Sequence, residues 1–265
     1  AKEIIRYGEW LDVKKHTMEK LSGSGKEDYT WWMKNVQFFP WGWEESNDII
    51  QREYDRIMTF LKLEEQRNRE LPPLKVAMNQ KDYETSLFYA LNHVVDFLRG
   101  SDMMTIDEWV NPSDYTGFNN LDDLVKIIEK TESSDDEFLP ENTSIDTKVR
   151  QREILPGETH EYIGHMLDEQ RQERLDLSPI RKAYRRFNMG SMRLEGWAVA
   201  LEELLMQAGV LDDRPQKGRE MEYLMNASHM SLAIPDMKMH ANEINLEEAR
   251  KLCADIMPRG WSRPE

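Results

Sequence analysis

Apolar residues recur three, four and seven positions apart along most of this chain, the spacing that lines up one face of a helix. From Ser46 to Arg69, Ile49, Ile50, Tyr54, Ile57, Met58 and Leu61 stand among charges in this way and predict an amphipathic helix packed on one side. Ile4 to Leu21 and Leu121 to Ile128 repeat the pattern, and Asp82 to Leu98 turns Leu87, Ala90, Leu91, Val94, Val95 and Leu98 inward. Alternating strand patterns are almost absent. Pro72-Pro73 and Gly100-Ser101 read as breaks. The expectation is a mainly α fold, a single helical domain with an active-site cleft between helices.

Thr131 to Thr147, rich in Asp, Glu, Ser and Asn, reads as an exposed acidic loop. It separates an N-terminal helical half, 1–130, from a C-terminal half, 148–265, within one compact domain. In the second half Pro156-Gly157 precedes a helix expected from Glu158 to Leu175, and Ser178-Pro179 fits the start of a helix carrying Ile180 to Phe187. Further helices are expected from Met192 to Ala208, stopped by Gly209, and from Lys217 to Ile234, where Pro235 should end or kink the run. Asn245 is placed to cap a last helix, Leu246 to Ile256.

Composition narrows the chemistry. The 265 residues carry 35 Lys plus Arg against 50 Asp plus Glu, a formal charge of −15 that repels nucleic-acid backbones and anionic membrane surfaces. No apolar run approaches the ~18 residues of a membrane span, and Ala1 to Trp10 lacks the apolar stretch of a signal peptide. A soluble protein of the cytoplasm or periplasm is expected. Cys253 is the sole cysteine, so an internal disulfide and a cysteine-based zinc site are excluded, and a metal would have to be held by His, Asp and Glu.

Carboxylates and imidazoles crowd Glu158-Thr-His160-Glu161-Tyr-Ile-Gly-His165. A regular helix would place Glu158, Glu161 and His165 on one face and leave His160 and His165 about 140° apart. The zinc-binding H-E-x-x-H spacing is therefore exceeded by one residue. A bulged turn at Gly164 would bring the two imidazoles together; a regular helix would instead make Glu161, with Glu158, the ligand beside His165. Thirty residues after His165, Glu195 leads an apolar helix and needs a partner, a metal or an arginine such as Arg193 or Arg186, and Glu202 shares its face. Gly196 after it would admit another helix. Asp236 and His240 form an i, i+4 pair in which the carboxylate could orient the imidazole, while His16, His93 and His229 have no comparable neighbourhood.

These segments, His160-Glu-Tyr-Ile-Gly-His165, Glu195-Gly-Trp-Ala through Glu202, Asp236 through His240 and the terminal Pro258-Arg-Gly-Trp261, resemble in order the DUF885 family of bacterial proteins, described as zinc-dependent peptidases. The resemblance covers nearly the whole chain. It departs from the family pattern where a Pro is missing before Gly164, where Met166 replaces a second histidine and where Leu232 replaces an arginine. Family members also carry a long additional N-terminal region, so the chain is expected to be a trimmed form, a fragment or one half of a split protein.

The resemblance implies a zincin-like peptidase architecture and a peptide or small-amide substrate. On these grounds a metal-dependent hydrolase is expected, with His160, His165 and Glu195 binding zinc, or iron or manganese in its place. Glu161 would then be the base that deprotonates the metal-bound water, and His240, steadied by Asp236, would stabilise the oxyanion. Two other readings stay open: a non-haem metal enzyme with redox or elimination chemistry, and a catalytically silent binding subunit. A homo-oligomer, or association with a missing N-terminal half, is expected as the partner besides the substrate.

Overall fold

The computed structural model describes residues 2–17, 21–117, 120, 122–123, 126, 144–174 and 190–261. Its helices are α1 (Lys2–Lys14), α2 (Lys26–Asn35), α3 (Trp43–Arg67), α4 (Gln80–Ser101), the single turn α5 (Ser113–Thr116), α6 (Ile145–Arg150) and α7 (Leu155–Glu158). The last runs without a break into a π-helical stretch, Thr159–Met166, and then into α8 (Leu167–Arg174). After it come α9 (Ser191–Gln207), α10 (Gly218–His240), α11 (Leu246–Ile256) and a closing 3₁₀ turn, Pro258–Gly260. No strand occurs among the described residues, and the chain forms a single all-α domain.

Side-chain caps set several boundaries. Asn79 Oδ1 accepts from the Asp82 amide at 2.9 Å to start α4, and Asn245 Oδ1 accepts from Glu247 and Glu248 to start α11. Asp102, in a left-handed conformation at φ 53°, ends α4 just past the expected Gly100-Ser101 break. All six residues expected to face inward from α4 are buried. The expected helix Leu121 to Ile128 and the one carrying Ile180 to Phe187 lie outside the described residues, as does most of the acidic loop. The end of that loop, Ile145 to Thr147, is already helix, capped by the Ser144 hydroxyl.

Four expectations need correction. The N-terminal helix stops at Lys14, where Thr17 turns back onto the Lys14 carbonyl, and it buries none of its residues. Pro156 and Gly157 sit inside the first turn of their helix rather than before it, which costs little because an amide there has no helical partner. Pro235 does not end α10, which runs on to His240. Tertiary contacts hold that last turn in place. Trp43, almost wholly buried, donates its indole N–H to the Met237 carbonyl at 2.8 Å, Gly25 N–H donates to the His240 carbonyl at 2.8 Å, and Asn242 Oδ1 accepts from Ser22 and Gly23. The fourth correction concerns Gly196, where no atom of the described residues lies within 4 Å of where a side chain would start, so none of the described helices packs against it.

The central helix α10 lies along α3 and is buried over most of its length. Its core face is not purely apolar. Glu222 is fully buried, accepts from Asn226 Nδ2 at 2.6 Å through one oxygen and leaves the other without a partner. Burial and the neighbouring Glu202 push the Glu222 carboxyl well above its ordinary 4.5. A carboxyl with a raised folded-state pKa takes up a proton on folding, so its contribution to stability falls as pH rises above about 4.5. Glu222→Gln keeps the shape and removes the ionisable group. The variant should therefore be more stable than the parent at pH 8, with the difference shrinking toward pH 5. Urea melts across that range check it, and a difference independent of pH would show that Glu222 does not titrate as argued.

Candidate metal centre

The segment Thr159–Met166 is a π-helix, whose hydrogen bonds run from residue i to i+5 in place of i+4. That winding brings residues five apart onto one face. His160 and His165, which a regular helix would separate, meet with their Nε2 atoms 3.0 Å apart and their rings edge to face. Glu195, in the second turn of α9, completes the group. Its Oε2 is 3.5 Å from His160 Nε2 and 3.4 Å from His165 Nε2. Among the described residues these three form the single group of His, Cys, Asp or Glu able to converge on one ion.

Gly164 explains how α9 comes close enough. A β-carbon on it would stand 2.6 Å from the Ala198 methyl carbon and 2.7 Å from the Ala198 Cα. Glycine is thus required here for the approach of two backbones, and the small Ala198 faces it from one turn beyond Glu195. The sequence pointed to Gly164 as the place where a distorted helix would be tolerated; the contact it makes is with the partner helix.

The Glu195 helix also reverses an expectation about burial. The Glu195 side chain is 63% exposed, whereas that of Glu202, two turns on, is 0% exposed. Glu202 is the buried carboxyl needing a partner, and it has one, because its Oε1 lies 2.6 Å from His160 Nδ1. Burial pushes the Glu202 carboxyl up to about 8, with His229 and Arg150 pulling the other way. With Glu202 ionised, its oxygen accepts from His160 Nδ1–H, and that tautomer leaves Nε2 as a lone pair toward the cluster. Such an outer carboxylate commonly supports a metal-ligating histidine. The spacing of seven from Glu195 was readable in the sequence; the depth of burial was not.

Arg193, named as a rival partner for Glu195, pairs with Asp168, and Arg186 lies outside the described residues. Glu158 and Glu161 are not members of the converging group. Arg150 donates from Nη1 to Glu158 and from Nη2 to Glu161, each at 2.9 Å, and so engages one oxygen of each carboxylate. Glu158 is buried, and burial raises its carboxyl against the pull of Arg150. Glu161 remains partly exposed. Tyr115 reinforces this arrangement with its hydroxyl toward Glu158, and burial together with the two carboxylates raises the phenol. Nothing in the sequence linked Arg150 or Tyr115 to the site, because both come from other elements.

His240 is not one of the three converging residues. It lines a cleft of 870 Å³ whose walls include Tyr29, Trp31, Trp32, Met33 and Met192. Met192 precedes Glu195 by three residues on α9, about one turn. The His240 ring packs on Tyr29 with centroids 5.3 Å apart, and its Nδ1 is buried without a hydrogen-bond partner. Asp236 is 3.8 Å from Nε2 and mostly exposed, too far for a hydrogen bond, so it does not orient the ring as expected. His229, by contrast, has an unforeseen carboxylate, Asp146, at 3.6 Å.

Gly164→Ala should cost about 1–3 kcal/mol by forcing the two helices apart, and should scatter the His160, His165 and Glu195 ligand atoms. Gly196→Ala, on the same helix pair but in open space, should instead gain up to about 1 kcal/mol from helix propensity. Urea denaturation of the two variants tests the contrast, and similar effects would sink the close-approach account. Glu202→Gln should weaken zinc binding by about 10–100-fold in competition with a chelator, since an amide replaces the carboxyl that holds His160 Nδ1 from behind. Unaltered affinity would reduce Glu202 to a packing role.

Compared with family models, with curated proteins and with solved structures, the chain has no match, so the likeness to the DUF885 family rests on the ordered motifs alone.

Proposed function

We propose that the chain is a metal-dependent hydrolase of a peptide or other small amide, with His160, His165 and Glu195 holding one divalent ion, zinc in the first place. The observation that carries this reading is the mutual spacing of the three ligand atoms, 3.0, 3.4 and 3.5 Å. Donors about 2.0–2.1 Å from a tetrahedral zinc lie about 3.3 Å from one another, so the triangle is of the right size. Its chemistry fits as well. Two imidazole Nε2 atoms and a carboxylate oxygen brought together need a proton or a cation between them, and the exposed Glu195 side leaves one face open to solvent.

The ion, when bound, would polarise the amide carbonyl and lower the pKa of a water toward ~7. Glu161 follows His160 directly in sequence, and Arg150 fixes one of its oxygens. The other oxygen is the acceptor for the proton that water loses as it attacks the amide carbon, and Glu161 passes that proton to the departing amine. Glu202 holds His160 in the ligating tautomer. The aromatic cleft beside α9 suits an apolar or aromatic side chain of the substrate, and His240 on its wall is the donor proposed for the carbonyl oxygen as charge builds there.

Protein purified without chelator should carry one divalent ion per chain, and Glu195→Ala should lower zinc affinity by about 10-fold or more. Glu161→Gln should keep the ion and lose about 10²–10⁴-fold of amide hydrolysis. Elemental analysis with turnover of a short peptide library measures both. A chain that neither retains nor takes up zinc would defeat the reading; loss of metal in Glu161→Gln with retention in His160→Ala would move the ligand role to Glu161. Two histidines and one carboxylate also serve non-haem iron, so iron content with oxygen-dependent turnover would replace hydrolysis by redox chemistry.

A further inference from the structure

A second cleft, of 560 Å³, is built between the extended strap 75–77, the first turns of α4 and the segment 150–154. Its lining inverts the charge of the whole molecule. Lys75, Lys81, Arg150, Arg152 and Arg214 face it against a single acid, Asp82, in a chain of net charge −15. Tyr83, Thr85 and Ser86 add hydroxyl groups.

Two of the five cations are already committed. Arg150 is neutralised by Glu158 and Glu161, and Arg214 by the buried Glu153, with its Nη2 at 2.6 Å from Glu153 Oε1. The other three have no carboxylate partner among the described residues. Arg152 is the informative one. Its Nη1 donates to the Lys148 carbonyl, its guanidinium lies over the Trp261 ring at 5.1 Å, and no negative side chain offsets it. Burial and the nearby Arg259 both pull its pKa down, the mark of a positive charge that the fold leaves uncompensated. A cation held partly out of water without an anion is costly, and a bound anion would relieve that cost.

The cleft is also preformed. Ala77 N–H donates to the Gln151 carbonyl at 3.0 Å, tying the strap to the opposite wall. Glu153 accepts from the Leu155 amide as well as from Arg214, which locks the base. Little ordering would be left to occur on binding, which favours affinity.

We propose that this cleft binds a small oxyanion, the phosphate or carboxylate of a diffusible molecule, with Arg152, Lys75 and Lys81 supplying the charge. The site is distinct from the metal cluster and needs no metal to form.

The test is titration of the 265-residue chain as purified with inorganic phosphate, and separately with succinate, at constant ionic strength set by chloride, followed by backbone amide shifts in nuclear magnetic resonance. Saturable shifts confined to 75–86 and 150–154 are expected for at least one anion. The anion that saturates identifies the source, phosphate or carboxylate. The exposed pair Lys75→Gln/Lys81→Gln should bind about 10-fold more weakly or worse with an unchanged thermal melt, since hydrogen bonds to charged groups are at stake. A matched loss of charge elsewhere, Lys14→Gln/Lys251→Gln, should stay within about twofold. Absence of saturation with both anions, or equal weakening in the two double variants, would overturn the proposal.

Discussion

Gly164 lies so near Ala198 that the absence of a side chain on it sets the distance between two helices, and the candidate site depends on that distance. Glu195 reaches the imidazoles because α9 approaches the π-helical stretch this closely. The π winding is the complementary constraint. A helix of regular pitch would aim His160 and His165 in different directions and leave Glu195 beside one of them. Winding and close approach together turn three residues, separated by five and thirty positions, into a triangle of ligand atoms the size of a metal coordination sphere.

Around the triangle, charge is arranged in layers. Behind His160 lies Glu202, and beyond it Glu222, both deeply buried and both raised by loss of water. Beside His160 lies Arg150, which binds Glu158 and Glu161 with its two terminal nitrogens. Buried carboxylates are costly, and each here has a guanidinium, an imidazole or an amide against at least one oxygen. A core that keeps several such groups, where apolar residues would stabilise it more, is organised around holding particular side chains in place.

The two clefts differ as their walls do. One is aromatic and runs from His240 to the first turn of α9; the other is basic and backs onto Arg150. Arg150 thereby belongs to both the Glu161 side of the candidate centre and the wall of the basic cleft, so the carboxylates of one and the charge of the other meet in a single guanidinium.

Local sequence by itself determined most of the helices. The periodic apolar positions of α3 and α4 pack as their spacing requires, and Asn79, Asn245 and Gly209 mark helix ends through capping or a left-handed backbone that needs no distant contact. The histidines and Glu195 were legible too, because residues of metal-binding type at unusual spacing stand out in a chain with one cysteine. What tertiary structure decided was every feature that depends on a neighbour remote in sequence. Pro235 lies within a continuous helix because Trp43 and the 22–25 segment hold the following turn. The first helix has the right periodicity yet buries nothing, since amphipathic spacing does not supply a surface to pack against. Glu202, and not Glu195, proved to be the buried carboxylate, and Arg150 the partner of Glu161, because burial and pairing are set by where helices lie relative to one another and not by the identity of the residue.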